Sequence, residues 1–339
     1  MKYLVAWHVQ PLKTAASSRF LAEPDRCPSS MVRMEQAVTV HPVRTSVAES
    51  HMPQYVVFTD LDGSLLDART SSWDAAAPAL RALRARGIPL ILVSRKTRAE
   101  IEPLRCRLQH RDPFIVENGA AVFVPHGLFS FPLERVRTKS SYDVIELGLP
   151  YHMLRDVLKQ IEDAVETPLS GFGDMSLDEI MQVTGLSHAE AALASMREYD
   201  EPFLLQAPQP LVDEVCRQIA SRGLRWTKSG RLFHLTGDND KGEAADLLMR
   251  CYRREQRLHV QSRAVESVGI GESVNDVPLL AAVDHPILAQ KADGTFDTGV
   301  LLPRLVRARG IGPAGWNDAI LKLLRYSFSS GMDGMDLAG

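Results

Sequence analysis

The sequence predicts an α/β protein: a Rossmann-like, doubly wound parallel-sheet core with an inserted α+β cap domain. Three observations predict it. Short apolar runs alternate with amphipathic segments between residues 55 and 124, as in a parallel sheet covered by helices. Between about 137 and 236 the alternation gives way to mixed strands and helices. From Asp240 it resumes, which makes the middle stretch an insertion into one domain.

The elements follow in order. Tyr55–Thr59 (YVVFT) is apolar and β-branched, and predicts a buried strand. Asp74–Arg86 carries Ala, Leu and Arg at helical spacing and stops at Gly87. Ile88–Val93 predicts a second buried strand. A helix over Thr97–Leu108 opens with Thr97 and Glu100 in capping-box spacing. Phe114–Val116 and Ala121–Val124 predict short strands around an Asn118-Gly119 turn. Residues 142–147 alternate like a half-exposed antiparallel strand. Helices are then predicted over Tyr151–Glu166, His188–Arg197 and Leu211–Arg222, with strands at Pro202–Gln206, Leu224–Thr227 and Arg231–Leu235. A helix over Lys241–Arg254, a strand over Ala264–Ile270 and a helix over Val277–Val283 complete the core.

The expected organisation is a poorly ordered extension at 1–52, core at 53–136, cap at 137–236, core at 237–328 and a flexible tail at 329–339. Met52 is an alternative start.

Composition narrows the function. The chain has 339 residues, 45% hydrophobic and 24% charged, with a net charge of -3. Such a balance argues against an obligate nucleic-acid binder. No apolar run approaches the roughly 18–20 residues of a spanning helix, so no membrane partner is expected. Cys27, Cys106, Cys216 and Cys251 are scattered, without a C-x-x-C pair, which fits a reduced compartment and a cytoplasmic location.

Four segments carry chemistry. Asp60 and Asp62 follow the first strand, with Gly63 redirecting the chain. Ser94, Arg95, Lys96 and Thr97 follow the second and offer a hydroxyl and a helix N-terminus to a phosphate. Lys241 opens the helix after the insertion, where the macrodipole does not favour a cation. Glu272 and Asp276 lie in a Gly-rich loop after the last predicted strand. Each has a plainer reading as a turn or helix cap. Together they place acids, a hydroxyl and a lysine at the carboxyl ends of one sheet, where open α/β sheets bind ligands. The acids suit a hard cation such as Mg2+, which takes oxygen ligands.

In order and context, these segments resemble the four motifs of the haloacid dehalogenase superfamily of phosphohydrolases. The stretches VVFTDLDGSLLD, VSRKTRAEIE, PFIVENGAAVF, SLDEIMQVTGLS, REYDEPF, RLFHLTGDNDKG, SVNDVPLL and GPAGWNDA resemble its mannosyl-3-phosphoglycerate phosphatase family, from about Tyr55 to Arg325. The resemblance implies Mg2+-dependent conversion of mannosyl-3-phosphoglycerate to mannosylglycerate. It makes Asp60 the nucleophile and Asp62 the general acid/base. Ser94 and Lys241 would hold the phosphoryl group. Asp60, the Asp62 carbonyl and Glu272 would bind Mg2+, with Asp276 in support. Arg95, Lys96, Asn118, Arg197 and Glu198 would meet the substrate, and Arg197 or Lys139 would neutralise the glycerate carboxylate.

The chain departs from the family pattern at Glu272, usually Asp; at Arg95, usually Ser; and at Asp200, often Ser. Residues 1–52 have no counterpart. Two alternatives stay open: a glucosyl-3-phosphoglycerate or other sugar-phosphate phosphatase, and a non-catalytic relative that binds a phosphorylated ligand. The oligomeric state is left open. His234 is expected to be a satisfied core or interface histidine and Trp316 an anchor for the C-terminal helix. Met175 and Met181 are expected to fill gaps in the cap, and Arg81, Arg84 and Arg86 to form a solvated face.

Overall fold

The computed structural model describes residues 54–258 and 265–329. The extension at 1–52 and the tail from 330 onward lie outside them. In chain order the elements are β1 (Gln54–Thr59), α1 (Ala77–Ala85), β2 (Leu90–Val93), α2 (Arg98–Leu108), β3 (Phe114–Val116) and β4 (Ala121–Pro125). There follow β5 (Val136–Lys139), β6 (Tyr142–Glu146), α3 (Tyr151–Val165), β7 (Ser170–Gly171), α4 (Leu177–Thr184), α5 (His188–Ala194) and β8 (Asp200–Leu204). Then come α6 (Gln209–Ser221), β9 (Arg225–Ser229), β10 (Leu232–Thr236), α7 (Lys241–Leu258) and β11 (Val265–Gly271). Last are α8 (Val277–Ala282), β12 (His285–Gln290), β13 (Val306–Ile311) and α9 (Gly312–Ser329).

Among the described residues the large sheet runs β13-β12-β11-β1-β2-β3-β4-β6-β5. It is parallel from β13 to β3 and antiparallel beyond. Alternation along the strands builds two layers. Tyr55, Val57, Leu90 and Leu92 pack with Leu83, Ile101, Leu104, Trp316 and Ile320 on one face. Val56, Phe58, Ile91 and Val93 pack with Ala244, Leu248 and Leu279 on the other. Burial on both faces explains why these strands read as continuous apolar runs.

From β1 the chain winds to β2 and β3 on one side, then returns through β11 to the other. The carboxyl end of β1 is therefore a topological switch point, where a crevice opens.

The smaller sheet, β7-β8-β10-β9, lies between α3 and α7 in the sequence. Phe203, Phe233 and Leu235 pack against Leu154 and Leu158 of α3 and Val215 and Ile219 of α6. With a period of two, Asp200 and His234 project from the opposite face.

Several elements differ from the sequence reading. β5 and β6, placed in the cap from residue 137, extend the large sheet, β6 pairing with β4 and β5 with β6. The helix expected to reach Arg197 ends at Ala194, because the buried Glu117 carboxylate takes the backbone N–H of Glu198 and Tyr199 instead. α4 is an additional helix; its Ser176/Glu179 capping box is visible in the sequence. Trp316 is fully buried, and its indole N–H donates to Thr59 Oγ1 at 3.0 Å, anchoring α9 beneath β1. Met175 and Met181 pack around Ile180 and Phe172. Arg84 and Arg86 donate to the main-chain carbonyls of Leu108 and Ala82.

Candidate active site

Asp60 leaves β1 at the switch point, its N–H bonded to the Ile270 carbonyl at 2.9 Å. The chain then folds back, with Gly63 N–H donating to Leu66 O and Leu66 N–H to Leu61 O. Gly63 turns with φ of +78°, and a Cβ there would overlap the Glu272 carboxylate. The turn needs glycine for its backbone, and the Glu272 carboxylate occupies the space a side chain would take.

Lys241, at the start of α7, reaches the same end of the sheet. Its Nζ donates to Asp60 Oδ1 and to Asp276 Oδ1, both at 2.7 Å. Burial opposes the ammonium, but the two carboxylates hold it above its ordinary range. Asp60 is pushed up to about 7 by burial and by Asp276, against the pull of Lys241.

Asp276 Oδ2 accepts the backbone N–H groups of Glu272 and Ser273 at 3.0 and 3.2 Å. Asp276, expected in support of a metal, holds Lys241 and the loop that carries Glu272. Glu272 is raised to about 7 by burial, Asp276 and Asp62, with Lys291 and Arg95 opposing.

Asp62 is partly exposed and faces Lys96 Nζ at 3.3 Å and Arg95 at 3.9 Å. Ser94 is buried, and its hydroxyl accepts the Lys96 N–H at 3.2 Å. The Ser94 carbonyl takes the Asn118 N–H at 3.0 Å. Asn118, in the left-handed region with φ of 59°, is a hub. Its Nδ2 donates to Asp200 at 3.2 Å, its Oδ1 accepts from Asn275 at 3.3 Å and its carbonyl accepts from Asn239 at 3.3 Å. It thereby ties the β2 loop, the β11 loop and the smaller sheet together. Neither Asn275 nor Asn239 was singled out from the sequence, although Asn275 lies within the segment that holds Asp276.

The remaining candidates sit between the two sheets. Arg95 donates to Ser229 Oγ of β9. Arg197 is buried and donates to the Arg95 carbonyl at 2.9 Å. Glu198, expected to meet substrate, is held by Arg98 at 3.2 Å and by Lys139. Lys139, the other candidate for a substrate carboxylate, is therefore paired within the protein and lies on the large sheet. Glu117 was missed: it has no periodicity or motif role of its own, and only its burial at the junction reveals it.

The donor set bears on a metal. The four acids Asp60, Asp62, Glu272 and Asp276 meet three cations, Lys241, Lys96 and Arg95, and burial with the charges of Asp276 and Asp62 opposes ionisation of Glu272. Hard oxygen donors in that imbalance fit a divalent cation. Among the described residues, no three His, Cys, Asp or Glu side chains already form a ligand cluster. Asp60, Glu272 and the Asp62 carbonyl are the groups at hand; water and phosphate oxygens would complete the shell. No helix of the described residues is long and apolar enough to cross a membrane.

This arrangement offers a buried acid as a nucleophile, a lysine beside it, a more exposed acid two residues on and a hydroxyl from the next strand. That is the equipment of phosphoryl transfer.

Comparison with known proteins agrees. Residues 57–143 match the haloacid dehalogenase-like hydrolase family. A glucosyl-3-phosphoglycerate/mannosyl-3-phosphoglycerate phosphatase of Methanococcoides burtonii is 43% identical over 271 residues, covering 80% of this chain and 97% of the relative. A mannosyl-3-phosphoglycerate phosphatase of Pyrococcus furiosus is 34% identical, covering 69% and 90%. A solved phosphatase of the haloalkanoate superfamily from Bacteroides thetaiotaomicron shares the fold at a TM-score of 0.56 and 15% identity, covering 86% of this chain and 100% of that one. With the fold, the site and these relatives in agreement, the chain belongs to the mannosyl-3-phosphoglycerate phosphatase family of the haloacid dehalogenase superfamily and is a phosphatase.

Proposed function

We propose that this phosphatase hydrolyses mannosyl-3-phosphoglycerate to mannosylglycerate and phosphate, in two steps through an aspartyl-phosphate on Asp60. The observation that carries the proposal is the buried Lys241 ammonium held 2.7 Å from Asp60 Oδ1 at the switch point of the sheet. A second substrate, glucosyl-3-phosphoglycerate, is favoured by the double name of the Methanococcoides relative.

A carboxylate approaching a phosphate dianion meets strong repulsion. Lys241 offsets it in a site that excludes water, where a fixed charge acts at full strength. Mg2+, held by Asp60, Glu272 and the Asp62 carbonyl, would supply further positive charge for the phosphoryl oxygens. Ser94 donates its hydroxyl to the phosphoryl group. Asp62 gives a proton to the departing alkoxide, then takes one from the water that cleaves the acyl-phosphate. Its exposure, beside Lys96, gives it access to both. Asp276 positions Lys241 and the Glu272 loop and stays out of the chemistry.

Phosphate release from synthetic mannosyl- and glucosyl-3-phosphoglycerate, with Mg2+ and with a chelator, tests the proposal. Release that requires Mg2+ and favours these esters over simple sugar phosphates is expected. Equal or greater turnover of unrelated monoesters would overturn the substrate, and full activity in chelator would overturn the metal.

A further inference from the structure

The junction of the two sheets holds a partly open cavity of about 280 Å³. That is near the lower end for small-ligand sites. Arg95 and Lys96 line it from the loop after β2; Phe172, Arg197 and His234 line it from the inserted region. Lys96 also pairs with Asp62, so the cavity adjoins the loop proposed to protonate the leaving group.

His234 is the odd member. It is 3% exposed. Its Nδ1 lies 3.0 and 3.2 Å from the two Asp200 oxygens. A buried histidine commonly uses both ring nitrogens, yet Nε2 has no partner among the described residues. The expectation of a fully satisfied histidine therefore holds for one nitrogen only.

The Asp200 pairing fixes the ring and leaves Nε2 free among the described residues. Burial raises the Asp200 carboxyl, but His234, Arg197 and Asn118 more than offset it and hold the group below its usual range. A carboxylate only accepts hydrogen bonds, so Nδ1 carries the proton. Arg197, 3.8 Å from Asp200, already supplies that carboxylate with a positive charge. The unmet need at this position is for a hydrogen-bonding partner at Nε2.

We propose that His234 determines specificity: its Nε2 forms a hydrogen bond with a hydroxyl of the leaving group, and Asp200 fixes the ring for that purpose. The proposal rests on the sugar-phosphate reading above. A site built to bond a hydroxyl discriminates against esters that lack one, because its polar group is then left buried and unpaired.

The test compares mannosyl-3-phosphoglycerate with p-nitrophenyl phosphate, whose leaving group carries no further hydroxyl. In His234→Ala the ratio of the two kcat/KM values should fall about tenfold. An equal loss on both substrates would assign His234 a structural role and overturn the proposal. Since a buried substitution can impair folding, wild-type enzyme is also assayed on monodeoxy analogues of the leaving group. One of them should lose about tenfold in kcat/KM and cost His234→Ala nothing more. Insensitivity to every deoxy position would overturn the proposal. If wild-type enzyme cleaves neither sugar phosphoglycerate, the substrate assignment fails by itself. His234 is then judged by the same ratio on glucose 6-phosphate and glycerol 3-phosphate, and no preference for either over p-nitrophenyl phosphate would overturn it.

Discussion

Lys241 and Asp276 form a 2.7 Å ion pair in which neither side chain is more than 3% exposed. The same ammonium serves Asp60 at 2.7 Å. One cation thus fixes two buried carboxylates, and the cluster carries both the chemistry and part of the fold.

Removing that cation leaves acids in a poorly solvated site. Breaking a buried pair by deleting one partner typically costs about 3–5 kcal/mol. Lys241→Met should lose stability of that order in a urea titration, as well as its phosphatase activity. A variant of unchanged stability would mean that Asp60 and Asp276 are better solvated than their burial implies.

Asp60→Asn should abolish phosphate release while leaving the fold intact, because the amide oxygen still accepts from Lys241. The uncatalysed hydrolysis of phosphate monoesters is among the slowest reactions known, with enzymatic accelerations up to about 10²¹. Residual turnover above background, with an unchanged circular dichroism spectrum, would take the nucleophile away from Asp60.

Glu272 is about 1.5 Å longer than the aspartate usual in the family, and its carboxylate rests against Gly63. Glu272→Gln removes a charged donor and should raise the Mg2+ needed for half-maximal activity about tenfold or more, since charge count tunes affinity for hard cations. Glu272→Asp should keep Mg2+ activation. An identical Mg2+ requirement in wild type and Glu272→Gln would remove this residue from the metal site.

Glu117 links titration to folding. Burial pushes its carboxyl up to about 8, aided by Asp200 and opposed by Arg197 and the N–H groups of Tyr199 and Glu198. The folded state thus keeps a proton that the unfolded chain gives up near the ordinary glutamate value of 4.5. The contribution is full below that value and is lost as pH rises toward 8, by at most about 1.4 kcal/mol per pH unit. Urea unfolding of wild type and Glu117→Gln from pH 5 to 9 isolates the effect. Wild type should lose ground to the variant as pH rises; a pH-independent difference would mean that Glu117 ionises alike in both states.

Much of this was legible in the chain itself. The strands β1 and β2 read as buried because both faces are covered, so the apolar run is unbroken. Asp60, Asp62, Ser94, Lys241 and Glu272 stood out because each follows a strand or opens a helix at the sheet's carboxyl end. The capping box at Thr97 and Glu100 marked the start of α2 correctly, since its hydrogen bonds are local.

What the sequence determined was local: periodicity, caps, turns and the residue types that phosphoryl transfer requires. The tertiary structure decided which groups share a charge and which remain unpaired. Asp276, expected in support of a metal, is tied to Lys241, thirty-five positions away. Glu117 ended α5 early by capturing backbone N–H groups more than eighty positions on. His234 looked satisfied until Asp200 was seen to occupy only one of its nitrogens. In each case the deciding partner is remote in the chain, and hydrogen bonding and Coulomb forces depend on distance in space.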